Sequence, residues 1–582
     1  MRRPVRWLGV LVATVASLSA CVAIPSSGPV TKVADDGDLG QSAVRYSPAR
    51  PLADATPEQI VRGYLDAMLA FPTSPRTASA FLTPAAADAW SSSSQVRVYT
   101  LPLVSEAQPL DDGSVPRDQP NGPMTVQIGF TEDAQLDQQG RYSRREGPAS
   151  ITYSLEQVEG EWRISNPQDG LLVNRKFFDD YYRPFNLYFF DRPGRRLVPD
   201  PVYVVVGDQL ATTLVTSLTG GPAPDPDEAV RTYVPARSVL RPSVPVSPEG
   251  VADVQFGEDF ADLTSSQRDH LSAQVVWTLR QVPEVEGVQL VGDATALTAG
   301  GDEVQPVQAW GGYGPSTARG RAYAVIDGRL DEIDDGDPEP ISGEWGQNAR
   351  GAEFVAVSES GVAGVLPGRD RLRLTARDGT SPRTVRGNRL IAPDWDSDGR
   401  LWVVDSTSAG TRVRVMTADD QNVIGIGGLS ALDVRTFRIS PDGTRYAVTA
   451  AGTAGGELFV GSVLRDAQDR VVGLADPVRV FTTATDPRSA SWSSSTELSF
   501  LADSEAGVQI YQAAIDGSAT TSEVSRSGAL LPDVAADTLA VGQGGAPVLY
   551  VTDVQDRLWY LPDDGTWRLL NTPKVTGLTF GR

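Results

Sequence analysis

The chain has 582 residues, of which 40% are apolar, and a formal net charge of −23. It is too long for one hydrophobic core and too apolar for a disordered chain, and so acidic a surface disfavours both nucleic acid and charge-driven adsorption to anionic lipid. A single cysteine (Cys21) and a single histidine (His270) exclude an internal disulfide and a Cys/His zinc site, while 56 Gly and 42 Pro suit a turn-rich, largely β protein.

Arg2, Arg3 and Arg6 precede an apolar run from Trp7 to Leu18 that is short for a membrane span. The run ends in Leu18-Ser19-Ala20-Cys21. A basic start, a short apolar stretch and small residues describe a signal peptide over residues 1–20. The ending resembles the bacterial lipobox. That resemblance implies cleavage before Cys21, with S-diacylglyceryl and N-acyl groups on the cysteine. Two acyl chains hold a protein on a bilayer where one binds only marginally. The expectation is therefore a lipid-anchored, extracytoplasmic body on the outer face of the cytoplasmic membrane. Residues 21–55, with Ile24-Pro25-Ser26-Ser27-Gly28-Pro29 and the acidic Asp35-Asp36-Gly37-Asp38, read as a flexible tether.

Residues 56–180 read as an N-terminal α+β domain. Thr56 suits an N-cap, Pro57 the first helical position and Glu58 the positive helix end. Ile60, Val61, Tyr64, Leu65, Met68 and Leu69 then form one apolar stripe. Short helices follow over 78–82 and 84–90. The period then changes to two, giving strands at 96–99, 124–130, 149–155 and 161–164. Helices followed by such a sheet resemble a cone-shaped NTF2-like domain.

Phe177 to Asp191 is dense in aromatics and reads as buried strand and packing between domains, since large exposed apolar patches are uncommon. Residues 185–300 alternate strands (197–206, 251–256, 287–291) with helices (210–218, 265–282), as a compact α/β domain does. Leu197-Val198-Pro199, the Leu218-to-Pro222 helix end, Pro235, and Val276-Trp277-Thr278-Leu279 before Pro283-x-Val285-x-x-Val288 resemble the GerMN domain of sporulation and germination proteins. Residues 301–320 read as a linker.

Residues 321–582 carry an approximate repeat. Its copies begin at Trp395, Ile439 and Trp492, with degenerate copies near Glu353-Phe354-Val355 and Asp537-Thr538-Leu539-Ala540. Asp-Gly turns between alternating strands, at a spacing of about 40–50 residues, predict a β-propeller of about six blades. The strand-like segment 575–580 is placed to complete the first blade. The fold class is thus multidomain: N-terminal α+β (NTF2-like), α/β GerMN-like, and a C-terminal all-β propeller.

Asp394, Asp396, Asp398, Gly399 and Asp405 match positions of a calcium loop, but they also fit a propeller turn, and the copy beginning at Ile439 lacks equivalent ligands. Asp331, Glu332, Asp334, Asp335, Asp337 and Glu339 read as a solvated acidic loop, and His270 as a surface residue. The sequence contains no Gly-x-Ser-x-Gly elbow and no Gly-x4-Gly-Lys phosphate loop. Binding is therefore expected rather than catalysis, with no cofactor. A carboxylate-based cell-wall hydrolase or lyase and a glycan or small-molecule sensor are the rival readings.

Cys21 to Gly28, Ile60 to Ala67, Phe81-Leu82-Thr83-Pro84 and the aromatic entry to the α/β part, taken in order, resemble the actinobacterial lipoprotein LpqB family. That resemblance implies a partner, the extracytoplasmic domain of the sensor kinase MtrB. It also implies a role in modulating the MtrA–MtrB two-component system in envelope homeostasis and division.

Overall fold

The computed structural model describes residues 46–582 apart from 71–74, 110–121, 224–228, 236–242, 258–262, 293–294, 316–319, 418–420, 453–454, 467, 481–482, 524–525, 527, 543–547 and 563. Leu18, Ser19, Ala20 and Cys21 lie outside the described residues. No helix among the described residues is long and apolar enough to cross a membrane.

In the N-terminal module, helix Pro57–Ala67 is started by a capping box: Thr56 accepts from the Gln59 N–H, and the Gln59 side chain accepts from the Thr56 N–H. Its stripe buries Ile60, Val61, Tyr64 and Leu65. Tyr64 meets Trp90 and Tyr153 edge-on, with ring centroids 5.9 and 5.8 Å apart. The sheet beneath runs in the order 161–164, 142–158, 124–136, 96–104, 171–174, and the last pairing is parallel. The second helix occupies Pro75–Ser79 rather than 78–82, started by a proline at its first position. Residues just before the first helix already pack: Ala55 is buried, and the Asp54 N–H donates to the Glu161 carboxylate.

The aromatic stretch divides into helix Arg175–Tyr181 and strand Tyr182–Asp191. Phe177, Phe178, Tyr182, Phe185, Phe189 and Phe190 are all buried. Strand 182–191 forms a hairpin with Leu197–Val205, and a second sheet pairs Val251–Phe256 in parallel with Gly287–Gly292. Helices Leu210–Thr219 and Ser265–Leu279 share one core with these strands. Within the expected linker, residues 304–313 are structured instead. Val304–Pro306 adds to the second sheet, and Trp310 and Tyr313 pack on the α/β module, because part of their apolar surface is covered there.

Among the described residues the propeller has six blades, each a sheet of at least four strands. The innermost strands are 575–580, 354–358, 394–395, 434–439, 485–492 and 536–541, which pack in sequence around the ring. Blade 1 is closed by strand Val575–Phe580 against Ala322–Ile326, with Val325 opposite Thr576. Apolar clusters fill the gaps between blades. Between blades 3 and 4, Trp402 stacks on Phe437 at 5.8 Å and Phe437 on Tyr446 at 5.7 Å. The acidic cluster of 331–339 is a correction: it forms strands Arg329–Asp334 and Asp337–Pro340 of blade 1, and Asp331 is buried.

Candidate functional site: the propeller axis and its seam with the α/β module

The hairpin tip joining 182–191 to 197–205 is built on one carboxylate. Asp191 Oδ1 accepts from the N–H groups of Arg195 (2.6 Å) and Arg196 (3.1 Å), and Gly194 takes the left-handed conformation that closes the turn. Burial raises the Asp191 carboxyl, and these N–H donors partly offset it. The folded tip presents two adjacent guanidinium groups to the propeller.

There they meet aspartates of blades 3 and 4. Arg195 Nη2 lies 2.7 Å from Asp469 Oδ2 and 3.3 Å from Asp398 Oδ1. Arg196 Nη1 lies 3.1 Å from Asp398 Oδ1 and donates to Ser397 Oγ at 2.9 Å. Arg400 reaches Asp398 at 2.7 Å and Asp469 at 2.9 Å, and Arg465 reaches Asp469 at 3.3 Å. Burial alone would raise the Asp398 carboxyl; Arg196, Arg400, Arg195 and Arg465 outweigh it and hold it below the usual carboxylate range. Charges interleaved this way, on side chains mostly out of water, fix orientation more firmly than isolated surface pairs do.

The seam continues along the same strand. Buried Arg445 donates through Nη2 to the Pro199 carbonyl at 2.9 Å, and the Tyr203 hydroxyl donates to Ser518 Oγ at 2.8 Å. On the other side Arg141 of the N-terminal module pairs with Asp200 at 2.9 Å, and the Tyr203 N–H donates to the Gly140 carbonyl at 2.7 Å. One strand therefore ties all three modules together.

On the propeller axis beside this seam is a cavity of about 630 Å³. Five guanidinium groups line it (Arg196, Arg321, Arg377, Arg438 and Arg582), with three side-chain carboxylates (Glu332, Glu359 and Asp394). Glu332 accepts from Arg321 and from the Tyr323 hydroxyl, the latter at 2.8 Å. Burial would raise Glu332, but these donors hold it below the ordinary range. Asp394 accepts from the N–H of Ile439 at 2.8 Å and of Trp395 at 3.1 Å, with Arg582 at 3.7 Å. Arg438 is the exception. Among the described residues its guanidinium donates to its neighbour's carbonyl, Phe437 O, at 3.1 Å and makes no ion pair. Desolvation lowers the pKa of its guanidinium, Asp394 partly restores it, and Arg582 opposes it as a like charge.

The calcium-loop candidates do not converge on a cation. Asp396 accepts from the N–H of Asp398 (3.0 Å) and Arg400 (2.9 Å) and from Trp402 Nε1 (3.2 Å). Asp405 accepts from the N–H of Asn388 and Arg389 at 3.0 and 2.7 Å. Asp398 serves the arginines and Asp394 the axis. The described residues contain no cluster of carboxylate, His or Cys groups disposed to hold a metal. The same turn recurs in blade 6, where Asp553 accepts from the Gln555 and Arg557 N–H groups and from Trp559 Nε1 at 3.1 Å. The pattern Asp-x-x-x-Arg-Leu-Trp at 396–402 and 553–559 is the signal that identifies these aspartates as turn residues.

His270 is also a correction, because it is not a plain surface residue. It stacks on Tyr233 at 4.3 Å and meets Phe190 at 4.8 Å and Tyr313 at 5.1 Å. Its Nδ1 lies 2.6 Å from the Ser266 carbonyl oxygen and its Nε2 3.0 Å from that of Gly194, so the ring braces the arginine-bearing tip. The arginine network itself escapes sequence reading, since its partners lie some two hundred residues apart.

Comparison with known proteins agrees with this three-module architecture. Residues 50–179 match the model described as Lipoprotein LpqB, N-terminal domain, residues 186–296 that of Sporulation and spore germination, and residues 328–577 that of Lipoprotein LpqB beta-propeller domain. The chain is 30% identical to Lipoprotein LpqB of Thermobifida fusca, over 95% of each chain. It is 28% identical to that of Mycolicibacterium smegmatis, over 77% of this chain and 79% of the relative. Among solved structures it is similar to TolB from Acinetobacter baumannii (TM-score 0.34, 12% identity, 55% of this chain and 86% of that one). It is also similar to the first GerMN domain of GerM from Bacillus subtilis (TM-score 0.18, 21% identity, 21% and 92%). An α+β module, a GerMN-like module and a propeller in that order, with 30% identity to a relative matched over 95% of each chain, make this chain a member of the lipoprotein LpqB family.

Proposed function

We propose that the protein is a membrane-anchored, extracytoplasmic lipoprotein that works by binding, and that its partner is the extracytoplasmic domain of a sensor histidine kinase of the MtrB type. The observation that carries this reading is Cys21, the only cysteine of the chain, placed directly after Leu18-Ser19-Ala20 at the end of a basic, apolar leader. Acylated there, the chain shares the kinase's own membrane. Confinement raises the effective concentration, so a modest interface is occupied without high intrinsic affinity. The seam supports the reading because it holds three modules as one presenting surface rather than as beads on a string. The disposition of polar groups favours binding over catalysis: both ring nitrogens of His270 face main-chain carbonyls, and Glu332 and Asp394 on the axis are held by donors of the chain itself.

Crosslinking in native membranes should recover the kinase with this protein. Cys21→Ala should release the protein from the membrane fraction and alter transcription of genes under the kinase's response regulator. Recovery of no kinase, or an unchanged output from unanchored protein, would overturn the assignment.

A further inference from the structure

The axial cavity has a charge balance opposite to that of the molecule. The whole chain carries −23, yet the cavity wall carries five guanidinium groups against three side-chain carboxylates. Those carboxylates are already engaged or turned away. Glu332 is held by Arg321 and Tyr323, Asp394 by two backbone N–H groups, and the Glu359 side chain is 93% exposed. Arg438 remains, donating only to the carbonyl of its neighbour. A guanidinium offers a planar fork of N–H donors, and its natural complement is a carboxylate or phosphate. Among the described residues no carboxylate pairs with that fork. Trp492 and Phe580 on the same wall supply aromatic surface, and a volume of about 630 Å³ is that of a small-molecule site rather than of a single ion.

We propose that the propeller axis is a binding site for a small oxyanion, a molecule bearing a phosphate or carboxylate group that Arg438 engages, with Arg377 and Arg196 on the same wall. Arg196 belongs to the α/β module and also holds Asp398 and Ser397. The ligand and the seam therefore share one guanidinium, so occupancy of the axis and docking of the module are thermodynamically linked. An acidic exterior adds selection, because it repels long polyanions such as nucleic acid while a small oxyanion can enter this basic recess.

The test is calorimetric titration of the full lipidated chain in neutral detergent micelles, at constant ionic strength, with inorganic pyrophosphate in one arm and citrate in the other. The expected result is saturable binding in at least one arm, which names the headgroup. It should weaken about tenfold or more in Arg438→Gln and change less than about twofold in Arg470→Gln on the outer surface. If Arg438→Gln does not fold, Arg377→Gln is titrated in its place with the same expectation. No saturable heat in either arm up to about 10 mM would overturn the proposal, as would equal binding by the wild type and the cavity variants.

Discussion

Arg196 Nη1 sits 3.1 Å from Asp398 Oδ1, joining the α/β module to blade 3 through a carboxylate that Arg400 of the same turn also holds at 2.7 Å. Removing Arg196 leaves Asp398 with its local partner, whereas removing Asp398 strips a partner from several arginines at once. The two substitutions are therefore unequal. A double-mutant cycle of Arg196→Ala and Asp398→Ala should give a coupling of about 1 kcal/mol or more. Asp398→Ala alone should be the more damaging, read as faster hydrogen exchange at 191–197 and 397–400.

Acid should open the same seam. Asp398 titrates below an ordinary unfolded aspartate, which lies near about 3.9. A depressed folded value means that the stabilisation is fully present above the unfolded value and is lost as pH falls through the folded one. The seam should stay closed down to about pH 4 and loosen below it. Asp398→Asn should flatten that acid limb of a stability-against-pH curve.

Asp516 presents the opposite case. Burial raises its carboxyl, Asp200 adds like charge, and its Oδ2 has no hydrogen-bond partner among the described residues. A raised carboxyl favours the folded state most at low pH and loses that advantage as pH rises through the folded value. Asp516→Asn keeps an acceptor for the Ser518 N–H, now at 2.9 Å, and removes the charge. It should raise stability at neutral pH by about 1 kcal/mol, with no gain in acid, as measured by chemical denaturation.

The paired turns of blades 3 and 6 make a matched experiment. Asp396→Ala and Asp553→Ala each orphan a Trp indole N–H and two backbone donors. Each should cost about 2 kcal/mol or more. Both carboxylates are buried, but Asp396→Ala should be worse, because it leaves the charges of Arg400 and Arg465, 16% and 5% exposed, partly uncompensated, whereas the Arg557 that pairs with Asp553 is 41% exposed and can turn to water. Thermal unfolding of the two variants decides the order.

Gly577 sits at a bulge in the strand that closes blade 1, with φ +63. A Cβ there would meet the Val355 and Val325 side chains at 3.3 and 3.4 Å. Gly577→Val should destabilise the propeller by about 2 kcal/mol, from the left-handed backbone and the crowding together, visible as a lowered Tm.

Local chemistry made much of this fold legible. Thr56 and Pro57 start their helix because capping depends on residues three apart. Strands 161–164 and 251–256 have the bounds that alternation predicts, and the copies at Trp395, Ile439 and Trp492 fall in successive blades. What stayed hidden is non-local. Arg195 and Arg196 look like any exposed basic pair until blades 3 and 4 supply Asp398 and Asp469. Arg438 looks like one strand arginine among many until six innermost strands enclose it. The aspartates at 394, 396, 398 and 405 suggested a cation because turns and calcium loops ask for the same side chain at similar spacing; the Arg-Leu-Trp that follows Asp396 and Asp553 is what separates them. Val304 to Tyr313 read as a connector because so short a stretch carries no clear period, although Trp310 and Tyr313 are anchors.

The ring joins residues 322–340 to residues 575–580 in one sheet. A chain delivered from its amino end must therefore present five later blades before the first one is whole. Until then Ala322–Ile326 keeps an unpaired edge facing its future neighbour, open to strand addition by other chains. Synthesis and assembly of the ring are consequently coupled at strand Val575–Phe580, and a folding helper acting on this half has the most to do before that strand emerges.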